Sequence, residues 1–477
     1  MYDVIVIGGG VVGGTLLRAL SRYDLSLCMV EKSDDVCMGQ SKANSGIVHA
    51  GFDAKEGSLK AKFNVAGNRM MPDLCRELGV KYENNGSLVV AFCEEEMRTL
   101  SLLKERGEKN GVEGLSLIEK EELFALEPHI SKDAVGALLA KTGGIVCPYE
   151  LTIAAVGNAM DNGAELFTAF EVVKAEKTAD GFLLFSKDGR TVSGKTVVNC
   201  AGLGGEAVSR LFGDDSVKIG GRRGEYILLD KECAGFVSHT LFFTPTEKGK
   251  GILVSPTVDH NILLGPTAEE TETGETLTTR QGLDDVTEKA AKMCENVPFF
   301  QSITSFSGVR AYSDTHDFVI KESEKCPGLL LCIGIESPGL TSAPAIAEYV
   351  THELIGKKFP LKEKEDFIAT RTPDTFFKDM AIDEKNALIA CNPAFGRMVC
   401  RCEQVTEGEI VRAIRCNPPA RTVDAVKRRT RMGMGRCQGG FCTPAVTEIL
   451  ARELGVSPEK IKKSEGNSYL LFGRTKG

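Results

Sequence analysis

Apolar positions along the chain follow two rhythms. YDVIVIGGGVVGGTLLRAL (residues 2–20) opens on an unbroken apolar run of strand length, passes through glycines, and continues with apolar positions at helical spacing. A short run without polar alternation reads as a strand covered on both faces, here feeding an amphipathic helix. LSLCMVEKS (25–33) reads as a second such strand, and GKTVVNCAGLGG (194–205) as a third, ending in Ala-Gly. GLLLCIGIESPGLTSAPAIAE (328–348) repeats the scheme: buried strand, Ser-Pro-Gly turn, helix. Strand-to-helix turns spread over some 340 residues predict one sheet assembled from distant segments. The chain between them would form a second, interleaved domain.

The expected fold class is therefore α/β: a Rossmann-like nucleotide-binding domain interleaved with a mixed-sheet α+β substrate domain, followed by a small helical C-terminal domain. The expected divisions are 1–80, 145–222 and 305–358 for the first, and 81–144 with 223–304 for the second. A linker at 359–395, a cysteine-bearing domain at 396–460 and a tail at 461–477 complete the chain.

Composition narrows the function. With 477 residues and 42% apolar content the chain can bury two or three cores. A net charge of −8 argues against non-specific nucleic-acid binding, so an anionic substrate would need a local basic pocket. No apolar run approaches the ~18 residues of a membrane span. MYDVIVIGGG carries no basic n-region, which predicts a cytoplasmic protein, peripheral to a membrane only through a partner. Sixteen cysteines in such a setting predict thiols or metal ligands rather than disulfides.

Gly8, Gly10 and Gly13 occupy the glycine positions of G-x-G-x-x-G, for a tight turn, close approach of backbone to a pyrophosphate, and helix-on-strand packing. Helix N-termini favour anions, so the pyrophosphate is expected there. Glu31, ending the second strand, is placed to accept ribose hydroxyls. A fingerprint within ten residues of the start, followed by a long chain, favours FAD, expected to be non-covalent.

SKANSGIVHAG (41–51) sets one of six histidines, His49, in an open loop. Gly46 and Gly51 would let the backbone approach a flavin, and Asn44 and Ser45 would offer it hydrogen bonds. Imidazole titrates near working pH and suits the removal of a hydroxyl proton. The plainer alternative is a loop histidine bonded to backbone. Arg310, after Gly308, could present its planar fork to a phosphate or carboxylate; the plainer alternative is an ion pair with Asp314 or Asp317. His316 reads as structural.

The fingerprint, ANSGIVHAGFDAKEGSLKAKFNVAGN, LLGPTAE, SGVRAYSDTHDFVI and ESPGLTSAPAIAE together resemble the D-amino-acid-oxidase-like FAD oxidoreductases over residues 1–355. Within these, the match is to glycerol-3-phosphate oxidases and dehydrogenases. The resemblance implies that His49 is the catalytic base, and that Arg310 clamps the substrate phosphate with Ser337 nearby. Lys248 or Lys250 in TEKGKG would add a further phosphate contact. The expected cofactor contacts also include Lys32, Ser41, Val173, Ala201, Gly202, Gly339, Leu340 and Thr341. L-2-hydroxyglutarate dehydrogenases resemble the same scaffold, with an arginine for a carboxylate. An amine-oxidising proline- or sarcosine-type subunit and a non-catalytic electron-relay subunit are further alternatives.

Residues 397–436 carry ten Lys or Arg against four Asp or Glu. Cys400 and Cys402 form a C-x-C pair, Cys437 and Cys442 a C-x₄-C pair, with 34 residues between the pairs. Four cysteines with this spacing fit a [2Fe–2S] cluster better than zinc, and basic surroundings would offset its negative charge. Thr406 and Glu409 predict a capping box, and Thr443 with Pro444 an N-cap and first helical residue. Cys416, in a turn, is not expected to be a ligand. The block resembles the bacterioferritin-associated-ferredoxin-like domains fused to flavin dehydrogenases. A one-electron carrier fused to a flavin enzyme implies stepwise reoxidation by an electron-accepting protein subunit or carrier.

Overall fold

The computed structural model describes residues 1–245, 251–272, 274–372 and 376–473. Its first sheet is built around five parallel strands, in the order Leu329–Ile333, Thr191–Asn199, Tyr2–Ile7, Leu27–Val30, Glu165–Phe167. Val4, Ile5 and Val6 are fully buried, as an apolar run sandwiched between two layers must be. The register puts Ile7 beside Asn199, and Asn199 beside Leu331, so three strands end at one rim of the sheet. The loops after those strands therefore meet, although they lie hundreds of residues apart. The first half of Thr191–Asn199 turns away to pair antiparallel with Phe182–Ser186, which pairs with Val172–Lys177.

One face of this sheet is covered by the helices Val11–Ser21, Pro148–Asp161 and Gly339–Tyr349, with Leu59–Leu78 packed on the last. Leu16, Leu17, Leu20, Val156 and Ile346 fill that layer. Burying each such side chain contributes roughly 1.5–3 kcal/mol.

The second sheet has nine strands and is largely antiparallel. Ser302–Ser313 pairs with Ile219–Leu229 along the length of both, from Ile219 opposite Ser313 to Leu229 opposite Ser302. The boundaries expected at 222 and 305 thus cut through two long paired strands, and both strands belong to this second sheet. A three-stranded sheet, Ile47–Val48, Gly144–Val146 and Tyr82–Glu83, carries the residues directly before His49.

The segment expected as a linker is docked: Ala369 O accepts from Arg18, and Ile368 O from Asn158 and Asn162. Beyond it, Glu407–Arg415, Val423–Thr430 and Thr443–Leu454 pack around Ile410, Ile414, Val426, Val446 and Leu450. The Thr406 capping box is present, with Thr406 N–H donating to Glu409 Oε2 at 2.7 Å. The last helix starts one residue earlier than expected, with Cys442 as N-cap and Pro444 in its first turn. Among the described residues no helix is long and apolar enough to cross a membrane.

Candidate active site and cysteine cluster

A cavity of about 2640 Å³ opens where the two sheets face each other, lined by the rim loops of the first sheet and the long strand pair of the second. At one end are Gly8, Gly10, Val11, Glu31 and Lys32. Gly8 has φ +108°, and a Cβ there would stand 2.5 Å from Cys200 O, so the turn admits no side chain. Gly10 is the N-cap of Val11–Ser21 and supplies no side-chain cap, which leaves the helix end to a ligand. Ser41 Oγ accepts from Val11 N–H at 2.9 Å. Glu31 Oε2 accepts from Gly9 N–H at 2.7 Å and Oε1 from Ser33 N–H at 2.9 Å, which fixes a carboxylate at the mouth of the turn. Burial raises its pKa above the usual range even though those N–H groups oppose the rise. A side-chain-free turn, a helix end whose N-cap glycine carries no side chain and a fixed acid in a cavity this long fit an extended dinucleotide such as FAD.

Further along the cavity stand His49, Ser337 and Arg310. The histidine loop is held by its backbone. His49 N–H donates to Thr341 Oγ1 at 2.9 Å, and His49 O accepts from Asn64 at 2.9 Å and Asn68 at 3.2 Å. The imidazole Nε2 lies 3.4 Å from Ser337 Oγ, and the ring is 5.9 Å from that of Phe242. Beside Ser337, Glu336 is fixed by Lys60 at 2.8 Å and Arg222 at 3.6 Å.

Arg310 reaches the cavity from the second sheet, directly across from Arg222 in strand register. Its Nη2 donates to Thr267 O at 2.9 Å, and its buried Nε has no hydrogen-bond partner among the described residues. Nor is it ion-paired there. Asp317 instead caps Leu59–Leu78 through Leu59 and Lys60 N–H, and Asp314 accepts from Lys218 N–H. Residues 308 and 224 opposite it are glycines, and Gly308 packs against the backbone of Ala43. This absence of side chains brings the arginine strand onto the histidine loop.

Ser45, Ala201, Gly202, Gly339 and Leu340 line the cavity as expected from sequence. Val173, Thr341, Gly46 and Gly13 are not on the cavity wall, while Asn44 is. Val173 is 46% exposed and points outward, while Val172 lines the cavity, because alternate strand residues face opposite sides. Thr341 is fully buried behind the histidine loop and acts on the His49 backbone rather than facing the cavity. Gly46 faces Val146 O, and Gly13 packs on Gly8. Asn44 spends its side chain on Gly46 N–H and on the carbonyls of Gln40 and Ser41, shaping the loop from within. His316 takes a left-handed turn at φ +59° on the cavity edge. Lys248 and Lys250 lie outside the described residues.

Gln40 was not foreseen. Its Nε2 donates to Ile335 O at 3.1 Å and its Oε1 accepts from Ala311 N–H at 2.9 Å. One amide thus ties the flavin-side loop to the Ser337 turn and to the Arg310 strand. Tyr226, stacked on Phe306 at 4.8 Å, meets Ser45 with its hydroxyl at 3.4 Å.

In the C-terminal module Cys400 and Cys402 lie 3.7 Å apart and Cys402 and Cys437 3.9 Å apart, Sγ to Sγ. Cys442 Sγ contacts Met432 Sδ at 3.3 Å and hydrogen-bonds Cys400. The Cys442 thiol and the N–H groups of Gly433 and Glu403 pull Cys400 down to about 5. Burial, then the Cys400 charge, pushes Cys402 up to about 12. Four sulfurs linked in one row of contacts, Cys442 to Cys400 to Cys402 to Cys437, one already favouring the thiolate, suit a cluster of thiolate-bound metal. Cys416 sits away from them, with its thiol toward Ala413 O.

Residues 3–353 match the FAD dependent oxidoreductase family model, and the chain belongs to that family. Residues 398–452 match the BFD-like [2Fe-2S] binding domain. The whole chain is 47% identical to a glycerol 3-phosphate dehydrogenase from Caloramator mitchellensis, covering 99% of it. Over 76% of this chain and 96% of the relative it is 33% identical to a glycerol 3-phosphate oxidase from Mycoplasma genitalium. The dithionite-reduced L-alpha-glycerophosphate oxidase from Mycoplasma pneumoniae with FAD bound superposes with a TM-score of 0.74 at 30% identity, covering 78% of this chain and 98% of that one.

Proposed function

We propose that this protein oxidises sn-glycerol 3-phosphate at its secondary hydroxyl to dihydroxyacetone phosphate and delivers the electrons to a protein acceptor. The observation that carries the reading is Arg310: a guanidinium without an acid partner among the described residues, in the same cavity as His49. A half-buried cation left without an acid by the protein invites an anionic ligand, and a planar fork suits phosphate. The relatives named for glycerol 3-phosphate favour that anion over a carboxylate.

Bound FAD supplies the acceptor for the hydride that leaves the carbinol carbon, and the cluster supplies one-electron outflow. The chain does the rest. Arg310, with Ser337, holds the phosphate and thereby fixes the distance from the anion to the carbon that reacts. His49 takes the hydroxyl proton through the ring nitrogen that now meets the Ser337 hydroxyl. Thr341, Asn64 and Asn68 hold the histidine backbone, so the imidazole is aimed before substrate arrives. Cys400, Cys402, Cys437 and Cys442 would hold the cluster.

Anaerobic mixing with glycerol 3-phosphate tests this directly: the flavin absorbance bleaches and the cluster band follows. Bleaching by L-2-hydroxyglutarate or an imino acid instead, with glycerol 3-phosphate inert, overturns the substrate. Oxygen-driven turnover as fast as dye-linked turnover overturns the protein acceptor.

A further inference from the structure

Two arginines of the cysteine module close on one carboxylate of the nucleotide domain. Arg428 Nη2 donates to Asp35 Oδ2 at 2.5 Å, and Arg429 Nη1 and Nη2 donate to Oδ2 and Oδ1 at 2.9 and 2.8 Å. All three side chains are more than nine-tenths buried. Asp35 stands four residues beyond Glu31 in the loop that floors the nucleotide end of the cavity. That loop is pinned to the fingerprint by Cys37 N–H donating to Gly9 O at 2.8 Å, and it leads into Gln40 and Ser41. The tail adds to the same end, with Lys462 near Asp34 at 3.4 Å and Glu465 on the cavity wall.

The same end of the arginine helix leads straight into the cluster site. Val423–Thr430 ends in Arg431, and the next two residues are contacts of cluster cysteines: Met432 Sδ meets Cys442, and Gly433 N–H donates to Cys400. Latch and ligand shell are thus separated by a few residues of one continuous segment. Removing one side of a buried ion pair leaves a charge with neither water nor partner, which forces the surrounding chain to rearrange. Here the chain that would rearrange is the loop bordering the dinucleotide.

We propose that the segment from Arg428 to Gly433, the last turn of Val423–Thr430 and the residues after it, is a link through which cluster occupancy and FAD retention are coupled, with Asp35, Arg428 and Arg429 as positioning residues for the flavin. The proposal rests on the assignment of FAD and a [2Fe–2S] cluster, and is independent of the substrate. A chain that loses its electron outlet then also loosens its flavin. Linkage makes the effect reciprocal: FAD protects the cluster by the same factor as the cluster protects FAD.

The test uses the full-length holoprotein and reads FAD release by fluorescence and iron release by a chelator. Asp35→Asn and Arg429→Gln are expected to weaken FAD binding at least tenfold, and so is Cys437→Ser, which breaks the cluster from the other side. Glu127→Gln, which disturbs a buried carboxylate in the substrate domain that accepts Ser238 and His239 N–H, serves as the destabilised control and keeps its FAD. If a variant fails to fold, the parent answers the question alone: removing its iron weakens FAD affinity, and saturating FAD tightens iron retention at equilibrium by an equal factor. Iron-free parent that holds FAD as tightly as holoprotein overturns the coupling, as does equal FAD loss in Glu127→Gln. A parent that binds no FAD when reconstituted overturns the cofactor assignment instead.

Discussion

Charge is handled in opposite ways in the cavity and in the cysteine module. In the cavity Arg310 donates to one backbone carbonyl and meets no carboxylate among the described residues. In the module the buried arginines are matched to acids: Arg428 and Arg429 to Asp35, and Arg431 to Asp259 at 2.5 Å and Glu403 at 3.2 Å. The two regions differ in what completes them. On the proposed reading the unmatched guanidinium of Arg310 receives a ligand anion, whereas Arg428 and Arg429 through Asp35, and Arg431 through Asp259, join the module to the rest of the chain. The basic surplus of residues 397–436 therefore serves the joints as well as offsetting a cluster. The grouping of Cys147, Glu150 and Asp259, whose ligand atoms lie within 4.8 Å of one another, belongs to the second kind, because Arg431 and Lys81 supply its cations.

The contrast can be broken first at the chemistry. His49→Asn keeps a polar side chain of similar reach but no useful base, so anaerobic flavin reduction should slow by about 10²–10⁴-fold with FAD still bound. Equal rates in stopped-flow mixing would remove the histidine from the mechanism. Next, Arg310→Ala should raise KM for glycerol 3-phosphate on the order of 10²-fold while leaving thermal stability nearly unchanged, since no protein acid loses its partner. Arg310→Lys should recover only part of this, because an ammonium lacks the fork. A large fall in Tm for Arg310→Ala would make it a joint after all.

The module gives a pH signature that the cavity arginine lacks. Burial alone would raise Asp35, but Arg429 and Arg428 outweigh it and hold the carboxyl below its usual 3.8. A depressed folded pKa stabilises the folded state above the unfolded value and loses that contribution as pH falls further. Urea denaturation should therefore show the Asp35 contribution constant from pH 7 to 5 and declining below about pH 4, with Asp35→Asn removing that decline. The smallest effect is expected from Thr341→Val, which deletes the acceptor for His49 N–H: about 1–3 kcal/mol of stability by chemical denaturation and a few-fold loss in kcat.

Legibility followed the range of the interaction. The strand, glycine turn and helix of residues 2–20 were plain because each depends on neighbours within a few positions. So was the Thr406–Glu409 cap. The cysteine spacing survived because four ligands in two short pairs leave few other chemistries. Val173 turns its side chain outward while Val172 faces the cavity, since strand parity is set by pairing with a distant strand and not by local propensity. Thr341 was placed in the right turn, but a turn has two sides and the sequence does not say which one meets the cavity. Gln40 carried no signal, because its partners Ile335 and Ala311 are backbone groups nearly 300 positions away.

By itself the sequence determined the elements, the nucleotide fingerprint, the thiol set and the candidates His49 and Arg310. Those are consequences of periodicity and of residue chemistry, both local. Tertiary structure alone decided that Arg310 has no acid partner among the described residues, that the histidine backbone hangs on Thr341 and two asparagines, and that Asp35 joins the cysteine module to the nucleotide loop. These depend on which charges and donors end up adjacent after burial, and Coulomb and hydrogen-bond energies are fixed by distance in space, not by separation along the chain.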